Sequence, residues 1–532
     1  MSISEPFYNL FDEPWISVEG LDGKVQELGI YDVIKNAHNL RYLIEPMPIV
    51  QISIYRLLIC IIKDMHEIEN KYDLEELLEK GQFDQKLIDE FKDTYYDRFF
   101  LFADTNAFYQ GNFIDQKKKD SVSRLMVYLP TGNNETFFYH SFQNQHAISP
   151  KYCVKALLTW PLFATQGGSG YSPGINQKPP WYILIRGDNL FQTLVLNIPA
   201  VSIEINSGPN ITPWNSDDYV GIRRNVSSVS TIYGMTFLPR YIHLIPDGPG
   251  YCTFSSEWSD HLVKEIIFQM GNKFTGKWID PNVGYKIDAK RGPIPLRPVE
   301  GERVWQNISG LIFLKENEEI LSQSGKKSVI KYKRATIIDQ YIDFQVFSDM
   351  VKSDREILIE IYGLRSDQAK INEWHRESFT LPAKIMLIED IGRYIFKLIN
   401  LAYNFATVIR KSIELIFKGD TSGNSRKKSK SSPHSISINA SREYLSTMES
   451  IFKHEFIAKL GKLDPNNQNL RALMDTIEQD WKDRASAEAR SIIEYYLDLF
   501  DTNSKLLERK SRAERYFYGA RKQILGQVQS SS

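Results

Sequence analysis

The segment Gly167-Gly168-Ser169-Gly170-Tyr171-Ser172-Pro173-Gly174 holds the residue types of three kinds of chemistry. A nucleophile elbow sets Gly two residues on either side of its Ser, so that the hydroxyl clears a sharp turn; Tyr171 breaks that pattern. A phosphate loop continues with Lys and Ser/Thr after its last glycine, and here Ile175-Asn176 follow. The dinucleotide fingerprint is missed by one residue. What remains is the property of glycine itself: backbone without a side chain approaches a ligand more closely than any other. The competing reading is a tight turn between packed elements.

Metal chemistry finds little support. The three cysteines, Cys60, Cys153 and Cys252, are isolated, and none of the nine histidines joins a second ligand type at metal-binding spacing. His140 and His146 lie close together but lack an acidic or thiol partner. Glu389-Asp390 stands at the start of a helical pattern, where carboxylates favour the helix dipole. No metal and no cofactor are expected. The scattered carboxylates of a metal-dependent nuclease would leave no sequence signature, and this is the enzymatic alternative.

Several polar tips suit binding. Lys273 sits between glycines in Gly271-Asn272-Lys273-Phe274-Thr275-Gly276, where an extended lysine could enter a DNA groove or simply be solvated. Gly363-Leu364-Arg365-Ser366-Asp367-Gln368-Ala369-Lys370 reads as a hairpin tip, and amide side chains such as Gln368 can wedge or hydrogen-bond at base edges. The alternative is an ordinary surface turn. Lys117-Lys118-Lys119 and the cluster Arg426-Lys427-Lys428-Lys430 could follow a phosphate backbone or be solvated charge.

Composition limits these options. At 532 residues the chain exceeds one hydrophobic core, and 42% hydrophobic with 25% charged residues is globular. Lys+Arg number 65 against Asp+Glu 66, whereas an autonomous DNA-binding domain needs a basic excess to neutralise phosphates. Local patches within a larger assembly remain compatible with that balance. Sparse cysteine and an acidic N-terminus without signal-peptide order predict a soluble, cytoplasmic protein. The most apolar stretch, Ile52 to Ile62, is interrupted by Arg56 and is too short for a membrane span.

The elements that must position these residues predict an α+β fold. A large mixed α/β domain over 1–380 precedes a C-terminal four-helix bundle over 381–532. Leu10 to Val18 and Val25 to Ile30 flank a turn and predict a hairpin, and Ile49 to Lys63 predicts a helix. Trp181 to Ile185 and Leu194 to Ile198 read as buried strands. Pro and Gly recur from Gly248 to Gly301, predicting loops and short strands. Apolar residues then recur at three- and four-residue steps over Ala383–Phe417, Ser441–Leu460, Asn467–Phe500 and Leu506–Leu525. Between the first two lies a polar, basic segment near 419–436, expected to be disordered.

Taken in order, several of these pieces resemble one family: CasA, the large subunit of the type I-E CRISPR Cascade complex. Asn9-Leu10-Phe11-Asp12-Glu13-Pro14-Trp15-Ile16 is similar to its N-terminal signature. Leu129-Pro130-Thr131-Gly132-Asn133-Asn134 with Phe137-Phe138 resembles its first long loop. Gly167 to Gly174, with Pro180 and Ile185-Arg186-Gly187, resembles its glycine loop and following strand. Gly363 to Ala369 resembles its glutamine-wedge hairpin, and the helical C-terminus agrees.

The resemblance implies a non-catalytic subunit that reads a protospacer-adjacent motif through the minor groove of double-stranded DNA and begins strand separation. Gly168, Ser169 and Gly170 would lie against the motif, and Lys273 would be a lysine finger. Asp367 and Gln368 would form the wedge, while Phe138 would stack at the crRNA handle or a neighbouring subunit. The implied partners are crRNA, target duplex, the backbone, small and crRNA-handle-binding Cascade subunits, and a separate helicase-nuclease. Base pairing with the guide would read the sequence. Ser169, Asp367 and Lys273, the last aligned across a gap in a Gly-rich stretch, depart from the family pattern. Ser169 stands in place of glycine. Asp367 replaces an amide and would repel phosphate. Cys252 is alone where some relatives carry a zinc-type cysteine cluster. A purely structural RNA- and protein-binding subunit is the third reading.

Overall fold

The computed structural model describes residues 5–111, 119–127, 146–165, 171–216, 224–315, 319–321, 329–367, 370–417, 435–500 and 504–527. The chain divides into two compact units. One comprises Met1–Glu300, Gly310–Asp349 and Ile357–Thr380; the other comprises Gly301–Ser309, Met350–Glu356 and Leu381–Ser532. The first mixes helices and sheets and the second is mainly helical, as the α+β reading expects.

In the mixed unit, Ile16–Gly20 pairs antiparallel with Val25–Leu28 and with Leu40–Leu43. The expected hairpin therefore exists, but its first strand begins at Ile16. Residues 10–15 form an irregular segment with Leu10, Phe11 and Trp15 buried, and Trp15 donates its Nε1–H to the Leu10 carbonyl at 3.1 Å. The helix Pro48–Met65 follows and is buried on nearly every side, because sheets and helices of the same unit surround it. Its wide apolar surface is the hallmark of a core helix.

Three sheets lie next to the candidate site residues. Lys370–Pro382, Glu356–Asp367 and Tyr182–Arg186 form one, in that order. Asp120–Ser121, Leu262–Met270 and Arg240–Asp247 form the second. A parallel pair of two-residue strands, Lys273–Phe274 and Asn225–Val226, forms the third. Between 248 and 301 the chain is indeed loop and strand.

One strand expectation fails. Leu194 to Ile198 belongs largely to the helix Leu190–Leu196, whose Asn189 cap accepts from the Gln192 amide at 2.9 Å. A short apolar run buried on all sides looks the same as strand or helix, and here the asparagine cap decides. Just past the helix, the Asn197 side chain accepts from the Ile185 amide at 2.9 Å and donates to the Ile185 carbonyl at 2.6 Å. It thus serves the edge of strand Tyr182–Arg186 as a neighbouring strand would.

In the helical unit, Ile391–Phe417 packs against Ser435–Ile451, Leu470–Asp498 and Ser504–Gln527. The first helix starts later than its periodicity suggests. Ala383–Leu387 is a 3₁₀ turn, and Asp390 takes a left-handed φ of 58° before the helix begins. Trp481 lies in the bundle core, its Nε1–H donating to Leu398 at 2.9 Å and its ring 5.0 Å from Phe456. The basic segment near 419–436 lies outside the described residues except for its last two positions.

Candidate nucleic-acid interface

Lys273 is held by the end of the second sheet. Met270 stands opposite Arg240 in the antiparallel pair. The Gly271 and Asn272 amides then donate to the Pro239 and Leu238 carbonyls at 3.1 and 3.0 Å. Only glycine fits at 271, since a Cβ there would lie 2.5 Å from the Arg240 nitrogen and 2.6 Å from the Leu238 oxygen. Buried Asn272 accepts from the Arg224 amide at 3.1 Å and from the Tyr241 hydroxyl at 2.8 Å. The Lys273 amide donates to Arg224 at 2.9 Å, and a Cβ on Gly276 would fall 1.8 Å from the Ser227 oxygen. Backbone position is therefore fixed on both sides of Lys273, while its side chain is exposed.

The ends of the glycine segment meet the same sheet end. Gly168, Ser169 and Gly170 lie outside the described residues, but Thr165 and Tyr171-Ser172 on either side are placed. Arg240, only 3% exposed, donates through Nη2 to Thr165 O at 2.8 Å and through Nη1 to Ser172 O at 2.5 Å and Pro239 O at 2.8 Å. Its guanidinium carbon lies 5.0 Å from the Tyr171 ring centre and 5.8 Å from that of Trp160. Burial pulls the guanidinium down to about 10; Tyr171 opposes this shift and the Arg124 charge adds to it. Arg124 itself lies over Phe268, 4.2 Å from its centre, and pairs with Asp120 at 2.7 Å. Beyond the glycines, Gly174 N donates to Ala164 O at 3.0 Å and closes the segment.

The third element is a long hairpin. Leu358–Tyr362 pairs with Tyr182–Arg186, and the strand then continues to Asp367. At ~3.4 Å per residue, Asp367 lies roughly 17 Å beyond the last pair with that neighbour. Gln368 and the Asp367 side chain lie outside the described residues; the strand ends at Asp367 and Lys370 bracket the tip.

The base of the hairpin is clamped by Glu360, 2% exposed. Its carboxylate accepts from Arg376 at 2.8 Å, Arg186 at 3.3 Å and the Tyr362 hydroxyl at 2.6 Å. Burial alone would raise its pKa, but Arg186, Tyr362 and Arg376 outweigh that and hold it below the usual glutamate value. Higher up, Gly363 packs on Trp181 so closely that a Cβ would lie 2.3 Å from the indole.

The remaining expectations contribute less. Phe138, the 129–134 stretch, Lys117, Lys118 and the Arg426–Lys430 cluster lie outside the described residues. Lys119 pairs with Glu265 at 2.7 Å. Among the described residues, no group of three or more His, Cys, Asp or Glu is arranged to hold a metal ion. Cys60, Cys153 and Cys252 are buried free thiols, and burial pushes Cys60 up to about 12. Among the described residues, no helix is long and apolar enough to cross a membrane.

Two organising residues escaped sequence reasoning. Arg240 lies 68 residues from Ser172 and 75 from Thr165, and Glu360 lies 174 from Arg186. Neither pairing leaves a local pattern. Together they anchor the flanks Thr165 and Ser172, beside the sheet end that leads to Lys273, and the base of the long hairpin.

The chain belongs to the CRISPR-associated protein Cse1 family, whose model matches residues 9–492. The CRISPR-associated protein CasA/Cse1 of Thermus thermophilus is 26% identical over 390 residues, covering 71% of this chain and 72% of that protein. The solved structure of Thermus thermophilus CasA (Cse1) shares the fold with a TM-score of 0.70 at 21% identity, over 97% of this chain and 100% of that one. A chain of a CRISPR RNA-guided surveillance complex matches with a TM-score of 0.67 at 15% identity, over 97% of this chain and 100% of its own length.

Proposed function

We propose that this chain is the non-catalytic large subunit of a type I-E CRISPR Cascade complex. In this reading it recognises the protospacer-adjacent motif in double-stranded DNA through the minor groove and starts strand separation for crRNA pairing. It also helps recruit a helicase-nuclease. Family membership and the fold shared with a chain of an RNA-guided surveillance complex support the assembly. The observation that carries the DNA-reading role is the meeting of two elements at one sheet end. The glycine segment's flanks are tied to Arg240, and the Lys273 strand is tied to Pro239 and Leu238 beside it.

Gly168, Ser169 and Gly170 supply backbone to the motif, and Lys273 supplies a cation to the groove or its phosphates. Gln368 with Asp367 enters the first base step from the hairpin tip. Unstacking that step costs a few kcal/mol, which minor-groove contacts and an inserted side chain can offset without covalent chemistry. Phe138 anchors the first long loop at the crRNA handle or a neighbouring subunit. Near-neutral net charge keeps autonomous binding weak, and the other Cascade subunits supply the basic channel.

The test is binding of target duplex by the reconstituted complex at one salt concentration, comparing wild type with Gln368→Ala. Duplexes varying only in the adjacent motif run beside a pre-opened bubble. Loss of closed-duplex binding with the bubble spared is expected. Unchanged binding to both would remove the wedge role and favour a structural subunit.

A further inference from the structure

We infer that Arg240 is a positioning residue for motif reading. Its guanidinium ties Thr165 and Ser172, the two flanks of the glycine segment, to the sheet end that carries Lys273, so both elements meet the same stretch of duplex. This rests on the proposed function and adds a residue to it.

Among the described residues, charge is unbalanced at Arg240. Other buried arginines of the mixed unit are matched to a carboxylate: Arg56 to Asp280 at 2.8 Å, Arg334 to Asp339 at 2.6 Å and Arg186 to Glu360 at 3.3 Å. Among the described residues, Arg240 has no such partner and spends its donors on three backbone carbonyls. A buried cation without a counter-charge is a costly way to join loops that an apolar side chain could cover. What the planar fork supplies is geometry: donors on its two terminal nitrogens hold two carbonyls at a fixed separation. The aromatic face of Tyr171 further restrains the plane.

The same residue is coupled to the lysine segment through its backbone. Arg240 pairs with Met270, and Pro239 and Leu238 accept from Gly271 and Asn272. A shift of Arg240 therefore moves the flanks Thr165 and Ser172 relative to the strand of Lys273. A lysine at 240 would keep the charge but, as a point donor, could not span both carbonyls.

The experiment uses the reconstituted complex with its guide RNA and measures the ratio of affinities for matching and mismatched adjacent motifs. A pre-opened bubble of the same sequence is measured beside them. Arg240→Lys is expected to lower the ratio about tenfold while leaving bubble binding unchanged. Tyr171→Leu, which leaves the fork's donors in place, is expected to lower it partway. A ratio equal to wild type in Arg240→Lys overturns the inference. Should Arg240→Lys fail to assemble, Tyr171→Leu decides by the same ratio, and an unchanged value again overturns it. A wild-type complex that binds every motif equally removes the proposed function and this inference together. Discrimination by wild type, retained in the variants, removes the inference alone.

Discussion

Arg56 and Asp280, 224 residues apart, form a two-pronged ion pair at 3.2 and 2.8 Å inside the mixed unit, with side chains 6% and 0% exposed. Arg56 Nε also donates to Met235 O at 2.9 Å, and Asn176 donates to the same carboxylate at 3.1 Å. The pair thus joins the core helix, the 278–285 segment and the chain just after the glycine cluster. Arg56→Met strands the carboxylate in the interior, at an expected cost of about 3–5 kcal/mol. Urea unfolding of the purified chain measures it, and a loss under about 1 kcal/mol would contradict the central role of the pair.

Glu360→Gln removes the charge that gathers Arg186, Arg376 and Tyr362 at the hairpin base. Because the folded pKa is depressed, the stability this group contributes is full above the ordinary glutamate value of about 4.3 and is lost as pH falls through the folded value. The variant should therefore lose stability at neutral pH and show a shallower decline below pH ~4 than wild type. Denaturant melts at stepped pH read both effects.

His66 follows the helix Pro48–Met65, with its ring 5.7 Å from Phe83. Burial lowers its pKa to about 4; Asp84 opposes the shift and Lys80 adds to it. The unfolded chain takes up this proton near pH 6.5 and the folded chain only near 4, so acidification across that window favours unfolding. His66→Gln should flatten the stability profile between these pH values. An unchanged slope would show that burial of this ring is not its source.

Lys273→Ala should leave thermal stability within about 0.5 kcal/mol of wild type, because the side chain is exposed. In the assembled complex it should weaken duplex binding and reduce the logarithmic salt slope by about 1 if the lysine neutralises one phosphate. Gly276→Ala should do more harm to the same binding, since its Cβ would drive Phe274–Gly276 away from Ser227. A milder effect of Gly276→Ala would mean that strand register does not set the position of Lys273.

Trp481→Ala should cost the helical unit about 3–5 kcal/mol, combining a large cavity with a lost hydrogen bond to Leu398. Trp481→Phe keeps most of the ring packing and should cost less. Circular dichroism at 222 nm during denaturation follows this unit well, since it is mainly helical.

The elements were legible wherever a local period carried them. The helix Pro48–Met65, the N-terminal hairpin and the four C-terminal helices follow from apolar spacing and turn residues that lie within a few positions of one another. Leu194–Ile198 misled because a run buried on every face has no period, and the helix was settled by Asn189 together with the burial of both sides. Of the candidate site, the sequence offered three candidate tips: a glycine cluster, a lysine between glycines, and a polar hairpin or turn.

What holds those tips was decided only in three dimensions. Arg240 is an unremarkable residue in sequence, and its bonds go to backbone carbonyls, which every residue possesses, so no residue type marks its partners. Glu360 looks like one charge in the apolar run Ile357–Leu364 until Arg186 and Arg376 arrive from neighbouring strands. Hydrophobic periodicity is a local property of the chain and survives in the sequence. The pairing of a buried charge with distant backbone or a distant counter-charge depends on tertiary packing, and only the folded chain brings those groups within hydrogen-bond reach.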